Sequence, residues 1–143
     1  GPRKSERWSS AKDGYVFNLT KGKKEIGNIY HPHSVFVKDG DIYYCESSLR
    51  SVNKNNSKLI RLKLGYTRGL ALKEDYLFLG TSSGRKKSKS TGVVNNPADP
   101  GILEENCELL TYKKGGVFNR YKLINRLNFL PDKSEIYDLM ILR

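Results

Sequence analysis

An all-β domain of antiparallel strands is predicted by three features of this 143-residue chain. Apolar residues alternate with polar ones at a period of two, the spacing that sends successive side chains to opposite faces of a strand. Turn residues return roughly every 8–12 positions, too often for helices of ordinary length. One strand–turn–strand pattern also comes back after 35 residues.

Taken in order, Tyr15-Val16-Phe17-Asn18-Leu19 is the first predicted strand, turned by Thr20-Lys21-Gly22-Lys23 into Glu25-Ile26-Gly27-Asn28-Ile29. Stretches 34–37 and 42–45 flank Lys38-Asp39-Gly40-Asp41, whose Asp-Gly pair is a strong hairpin signal because both residues tolerate positive φ. Stretches 49–52 and 59–64 make the next pair, around the polar Asn53-Lys54-Asn55-Asn56-Ser57. Stretches 69–72 and 76–79 follow around Lys73-Glu74-Asp75. Stretches 107–112, 117–124 and 136–142 complete about ten short strands, and no segment reads as a helix.

The repeat narrows the architecture. His33-Ser34-Val35-Phe36-Val37-Lys38-Asp39 and Arg68-Gly69-Leu70-Ala71-Leu72-Lys73-Glu74 share one order: polar, small, alternating apolar, charged turn. Each leads into a similar partner, Ile42-Tyr43-Tyr44-Cys45 and Tyr76-Leu77-Phe78-Leu79. Two spacings beyond Arg68 lies Asp138, inside Glu135-Ile136-Tyr137-Asp138-Leu139-Met140-Ile141-Leu142, a predicted third opening strand. Repeats of this size with four short strands per unit are the mark of antiparallel β-propeller blades, about three in this length, and so of a partial propeller. A β-sandwich containing two similar hairpins is the alternative. Residues 3–143 then form a single all-β domain, the C-terminal part of a propeller, with the polar stretch 81–100 as a basic inserted loop. Gly1-Pro2 reads as the scar of a removed purification tag. Three blades leave sheet edges open, so a second copy or another chain is expected to complete the ring, and a simple monomer is not expected.

His31-Pro32-His33-Ser34, Gly40-Asp41-Ile42-Tyr43, Gly65-Tyr66-Thr67-Arg68-Gly69-Leu70-Ala71 and Glu135-Ile136-Tyr137-Asp138 occur in an order that resembles a family of uncharacterised, mostly bacterial propeller proteins, similar to NHL-type six-bladed propellers. The resemblance spans residues 30–142. It implies a β-propeller associated with carbohydrate and cell-envelope functions and with no established activity. The strongly basic run within 85–89 departs from that family pattern.

In a propeller the residue entering each innermost strand points toward one mouth of the central channel. His33, Arg68 and Asp138 hold that place in the three repeats, and His31 and Glu135 stand beside them. These five are the predicted ligand-binding residues, with Arg68 as the clamp for a carboxylate or phosphate. Capping of strand ends and pairing with one another is the competing structural role. Two histidines with an acid also make part of a metal site, and some propeller hydrolases hold calcium with channel carboxylates. Pro32 between the histidines and Arg68 at the same mouth argue against a cation. No metal and no cofactor are predicted, and no catalytic residue is assigned. Cys45 and Cys107 have no base beside them in sequence and read as buried thiols.

Composition bounds the remaining choices. Apolar runs of four or five residues fall far short of the roughly 20 that a membrane-spanning helix needs. Two cysteines are too few for a disulfide scaffold. Lys and Arg number 26 against 15 acids, a formal charge of +11. Such an excess favours anionic glycans, lipid head groups or nucleic acid as partners. Aromatic residues do not interleave with the loop charges, which weakens the nucleic-acid reading. Arg85, Lys86, Lys87 and Lys89 are the predicted polyanion contact, and a second basic set, Lys113, Lys114, Arg120, Lys122 and Arg126, lies in an acid-free stretch from Leu109 to Pro131. The expected function is a non-catalytic binding or scaffold module for a carbohydrate or other anionic cell-envelope ligand. A propeller hydrolase or metal-dependent enzyme, and a nucleic-acid-binding protein, are the alternatives. No signal peptide follows Gly1-Pro2, which favours the cytoplasm over secretion while leaving the compartment undetermined.

Overall fold

The structure is a computed structural model that describes residues 11–87, 92, 94–95, 106–130 and 135–142. The tag scar, Lys89 and half of the predicted inserted loop 81–100 lie outside these residues. The described strands are β1 (Gly14–Asn18), β2 (Lys23–Ile29), β3 (Pro32–Lys38), β4 (Asp41–Glu46), β5 (Ser51–Lys54), β6 (Ser57–Arg61), β7 (Tyr66–Lys73), β8 (Tyr76–Ser82), β9 (Glu108–Gly115) and β10 (Arg120–Asn128). They form three antiparallel sheets, β1-β2, β3-β4-β5-β6 and β7-β8-β9-β10, each a plain meander in chain order. No α-helix occurs among the described residues, and the one helical element is a 3-10 turn at Ser47–Leu49.

Turn chemistry sets these meanders. Asp39 and Gly40 both take positive φ, 51° and 80°, the pairing that a two-residue hairpin turn needs to match strand twist. Asn55 takes φ 53° in the β5–β6 turn, and its side-chain oxygen accepts the Ile42 N–H at 2.9 Å, fastening that turn to β4. The predicted five-residue loop 53–57 therefore shrinks to two residues, because Asn53, Lys54 and Ser57 are all paired in strands.

The 35-residue repeat is a structural repeat. Phe36 faces Tyr43, Val37 faces Ile42 and Lys38 faces Asp41. Shifted by 35, these become Ala71 with Phe78, Leu72 with Leu77 and Lys73 with Tyr76, which are the observed partners. Each ladder also breaks once toward its opening, between His33 and Phe36 and between Thr67 and Leu70, one residue out of step with the 35-residue offset.

Alternation along β4 divides the core. Tyr43 and Cys45 point into a cluster with Val52 and Ile60 of their own sheet and with Leu70, Leu77 and Leu110 of the other four-stranded sheet. Ile42 and Tyr44 point the opposite way, against Ile26 and Ile29 of β2. The first four-stranded sheet is thus packed on both faces, and burying each such side chain contributes roughly 1.5–3 kcal/mol. Thr67 donates to the buried Ser51 carbonyl at 3.1 Å, tying the two larger sheets at their centre.

Four expectations need correction. Residues 136–142 are not a strand, so the third repeat does not open as the first two do. This segment instead crosses β7 and β8 over Gly69 and Gly80: a Cβ on Gly69 would stand 2.7 Å from Leu139 Cγ, and one on Gly80 would stand 2.6 Å from Ile136 Cγ2. Its backbone is satisfied by a side chain, the Ile136 N–H donating to Ser82 Oγ at 3.0 Å while Ser82 Oγ donates to the Ile136 carbonyl at 3.1 Å. Thr81 and Ser82 do not begin a loop; they are buried residues of β8. Leu49 belongs to the 3-10 turn, and β6 ends at Arg61, before Leu62. Val117 and Phe118 are turn residues, since Gly116 (φ 75°) and Asn119 (φ 52°) turn the chain there before β10 begins.

Candidate functional site

β3 and β7 lie against each other, and their opening ends carry the predicted ligand-binding residues. His33 is the second residue of β3, opposite Cys45, and His31 precedes the strand at φ 50°, its carbonyl accepting the Ser47 N–H at 3.1 Å. Arg68 sits in the irregular part of β7, between the paired Thr67 and Leu70, whereas His33 is itself paired. Burial lowers the His33 pKa below its ordinary 6.5, and the charges of Arg68 and His31 lower it further, so these three groups share one electrostatic neighbourhood.

The C-terminal segment supplies the other members. Tyr137 lies under the Arg68 guanidinium, 4.9 Å from ring centroid to Cζ. Asp138 Oδ1 accepts Ser34 Oγ at 3.3 Å and its own neighbour's N–H, from Leu139, at 2.9 Å. Glu135 is gripped by a forked pair from Arg85, Nε to Oε1 at 2.5 Å and Nη2 to Oε2 at 2.6 Å. Arg85 Nη2 also donates to the Tyr137 hydroxyl at 2.8 Å. Burial alone would raise the Glu135 pKa, but hydrogen bonds from Arg85 and Tyr137 and the nearby charges of Arg85 and Arg68 outweigh it and hold the carboxyl below its usual range.

All five predicted ligand residues therefore gather around the openings of β3 and β7, although Asp138 arrives on a non-strand segment. The basic loop divides. Arg85 is committed to Glu135, whereas Lys86 and Lys87 are exposed, with Lys87 bridging to Val94. Sequence reasoning passed over Ser34 and Tyr137. Tyr137 was legible as the i+2 companion of Glu135 in extended chain, where alternate residues share a face. Its partner Arg85, 50 residues from Glu135, carried no local signal.

Charges at this site do not cancel. Glu135 already answers Arg85, and Asp138 is held by Ser34. Arg68 Nε is buried and has no hydrogen-bond partner among the described residues. Among the described residues no three His, Cys, Asp or Glu side chains assemble as a candidate metal set. Burial pushes the Cys45 thiol up to about 12, keeping it protonated and inert as a nucleophile at neutral pH. No helix among the described residues is long and apolar enough to cross a membrane. Searches of protein-family models, of characterised proteins and of solved structures give no match to this chain.

Proposed function

We propose that the two four-stranded sheets are consecutive blades of a β-propeller and that the protein is a non-catalytic module binding an anionic ligand, such as an acidic cell-envelope glycan, at the openings of β3 and β7. The observation carrying this reading is Arg68: a guanidinium whose Nε is buried and unpartnered among the described residues, with the Tyr137 ring against it, beside a half-buried neutral imidazole. Guanidinium forks match carboxylates and phosphates, and a desolvated one gains most from such a partner. The meander order, the shared register at 35 residues and the contact of β3 with β7 support the blade architecture. Exposed Lys86 and Lys87, next to Arg85 in the chain, offer further, weaker contacts to a polyanion.

Calorimetric titration with polygalacturonate, a carboxylated glycan, and with neutral dextran tests the proposal. Saturable binding to the first alone is expected, falling by about tenfold or more in Arg68→Ala, the effect of losing a charge-assisted hydrogen bond. Arg68→Lys keeps the charge without the fork and is expected to fall between. An affinity unchanged by Arg68→Ala removes the assignment.

A further inference from the structure

The β9–β10 hairpin carries a second feature that uses none of these residues. Gly115 pairs with Arg120, and the tip between them closes through the Asn119 N–H donating to the Gly116 carbonyl at 3.0 Å. The Lys114 N–H donates to the Asp75 carbonyl at 2.7 Å, which places the neighbouring β7–β8 turn level with Lys114. Residues 116–119 therefore project beyond that turn.

At this projecting point stand Val117, 97% exposed, and Phe118, 78% exposed. A single exposed apolar side chain is ordinary, but two in a row at a tip leave surface that water solvates poorly. Around them are Lys113, Lys114, Arg120 and Lys122, in a stretch with no acid between Leu109 and Pro131. The Arg120 guanidinium lies 5.4 Å from the Phe118 ring at the tip, while Lys113, paired with Lys122 further down the hairpin, holds its ammonium 5.5 Å from the Tyr76 ring. Glu74 and Asp75 are the nearest acids in the neighbouring turn, set back from the tip by the register just given. A second copy of this hairpin would bring like charges together. An anionic surface with an apolar layer beneath it complements both parts.

We propose that the β9–β10 hairpin docks the protein on anionic lipid bilayers. Val117 and Phe118 enter the boundary between head groups and acyl chains, a depth of roughly 5–10 Å, while the four cations meet lipid phosphates. Neither part suffices alone: a small apolar insertion binds weakly, and charge alone fades beyond a screening length. This inference is independent of the anion site at Arg68, so either can fail without the other.

Co-sedimentation of the full chain with vesicles of about 30% phosphatidylglycerol in phosphatidylcholine, against pure phosphatidylcholine, is the test. Binding to the anionic vesicles only is expected. The double variant Val117→Ser/Phe118→Ser should lose about tenfold or more in partitioning, with an unchanged melting temperature because these side chains are solvent-exposed. Arg120→Gln/Lys122→Gln should lose a similar amount, at roughly fivefold per charge, and this loss should grow in relative terms as salt falls, whereas that of Val117→Ser/Phe118→Ser should not. Equal binding to neutral vesicles, absence of binding to either, or wild-type binding by Val117→Ser/Phe118→Ser would each overturn the proposal, the last by showing adhesion through net charge alone.

Discussion

At an offset of 35 residues the β3-β4 and β7-β8 hairpins share one register from Phe36 and Ala71 to their turns, yet positions matched by that offset have different fates. Ile42 corresponds to Leu77, Cys45 to Gly80 and His33 to Arg68. Ile42 is only partly buried, against β2, whereas Leu77 has no exposed surface. Cys45 fills core, whereas Gly80 is left bare and Ile136 lies on it. His33 is a titratable base held neutral, whereas Arg68 is a permanent charge. A common hairpin pattern therefore specifies strand register, while the neighbours that reach each sheet decide what a given position does.

The largest expected contrast is in the core. Leu77→Ala should destabilise by about 2–5 kcal/mol, and Ile42→Ala by less than half of that, measured by urea denaturation. Equal losses would mean the two repeats are equally buried and would break the comparison. Next comes the glycine bed. Gly80→Ala should cost about 1–3 kcal/mol, since its methyl would overlap Ile136, and should speed exchange of the Ile136 amide that Ser82 Oγ now holds. Cys45→Ala at the equivalent place should leave that amide as protected as in the wild type.

The smallest effect is the pH dependence that separates His33 from Arg68. Because the folded pKa of His33 lies below 6.5, the unfolded chain binds the proton more readily. The associated stability is present above 6.5 and is lost as pH falls from there toward the folded value. His33→Gln should flatten that part of the profile, leaving only the carboxylate contributions at lower pH. An anionic ligand at Arg68 would raise the His33 pKa, so its affinity should increase as pH drops through the same range. An affinity with the same pH dependence in wild type and His33→Gln would detach His33 from the site.

Much of this protein was legible in its residues. Period-two alternation along Ile42-Tyr43-Tyr44-Cys45, the Asp39-Gly40 turn and the repeat from His33 to Arg68 identified all-β structure, most strand positions and the meeting of His33 with Arg68. These signals are local, arising from pleat geometry and from which residues accept positive φ. Boundaries were less legible where a side chain replaced a backbone partner. Thr81, Ser82 and Ser83 read as loop, yet Thr81 Oγ1 accepts the Glu108 N–H at 2.9 Å, and Ser83 Oγ accepts that of Asn106 at 2.8 Å. Hydroxyls that anchor a returning chain look, in sequence, like hydroxyls in solvent.

Sequence alone determined the sheets, their turns and the excess of positive charge, because each follows from neighbours a few residues apart. Tertiary structure decided the rest: that residues 135–142 lie across Gly69 and Gly80 instead of opening another sheet, that Arg85 is spent on Glu135, and that Val117 and Phe118 face water. The physical reason is that these outcomes depend on empty space above two glycines and on partners 50 or more residues away, and neither is encoded in any local pattern.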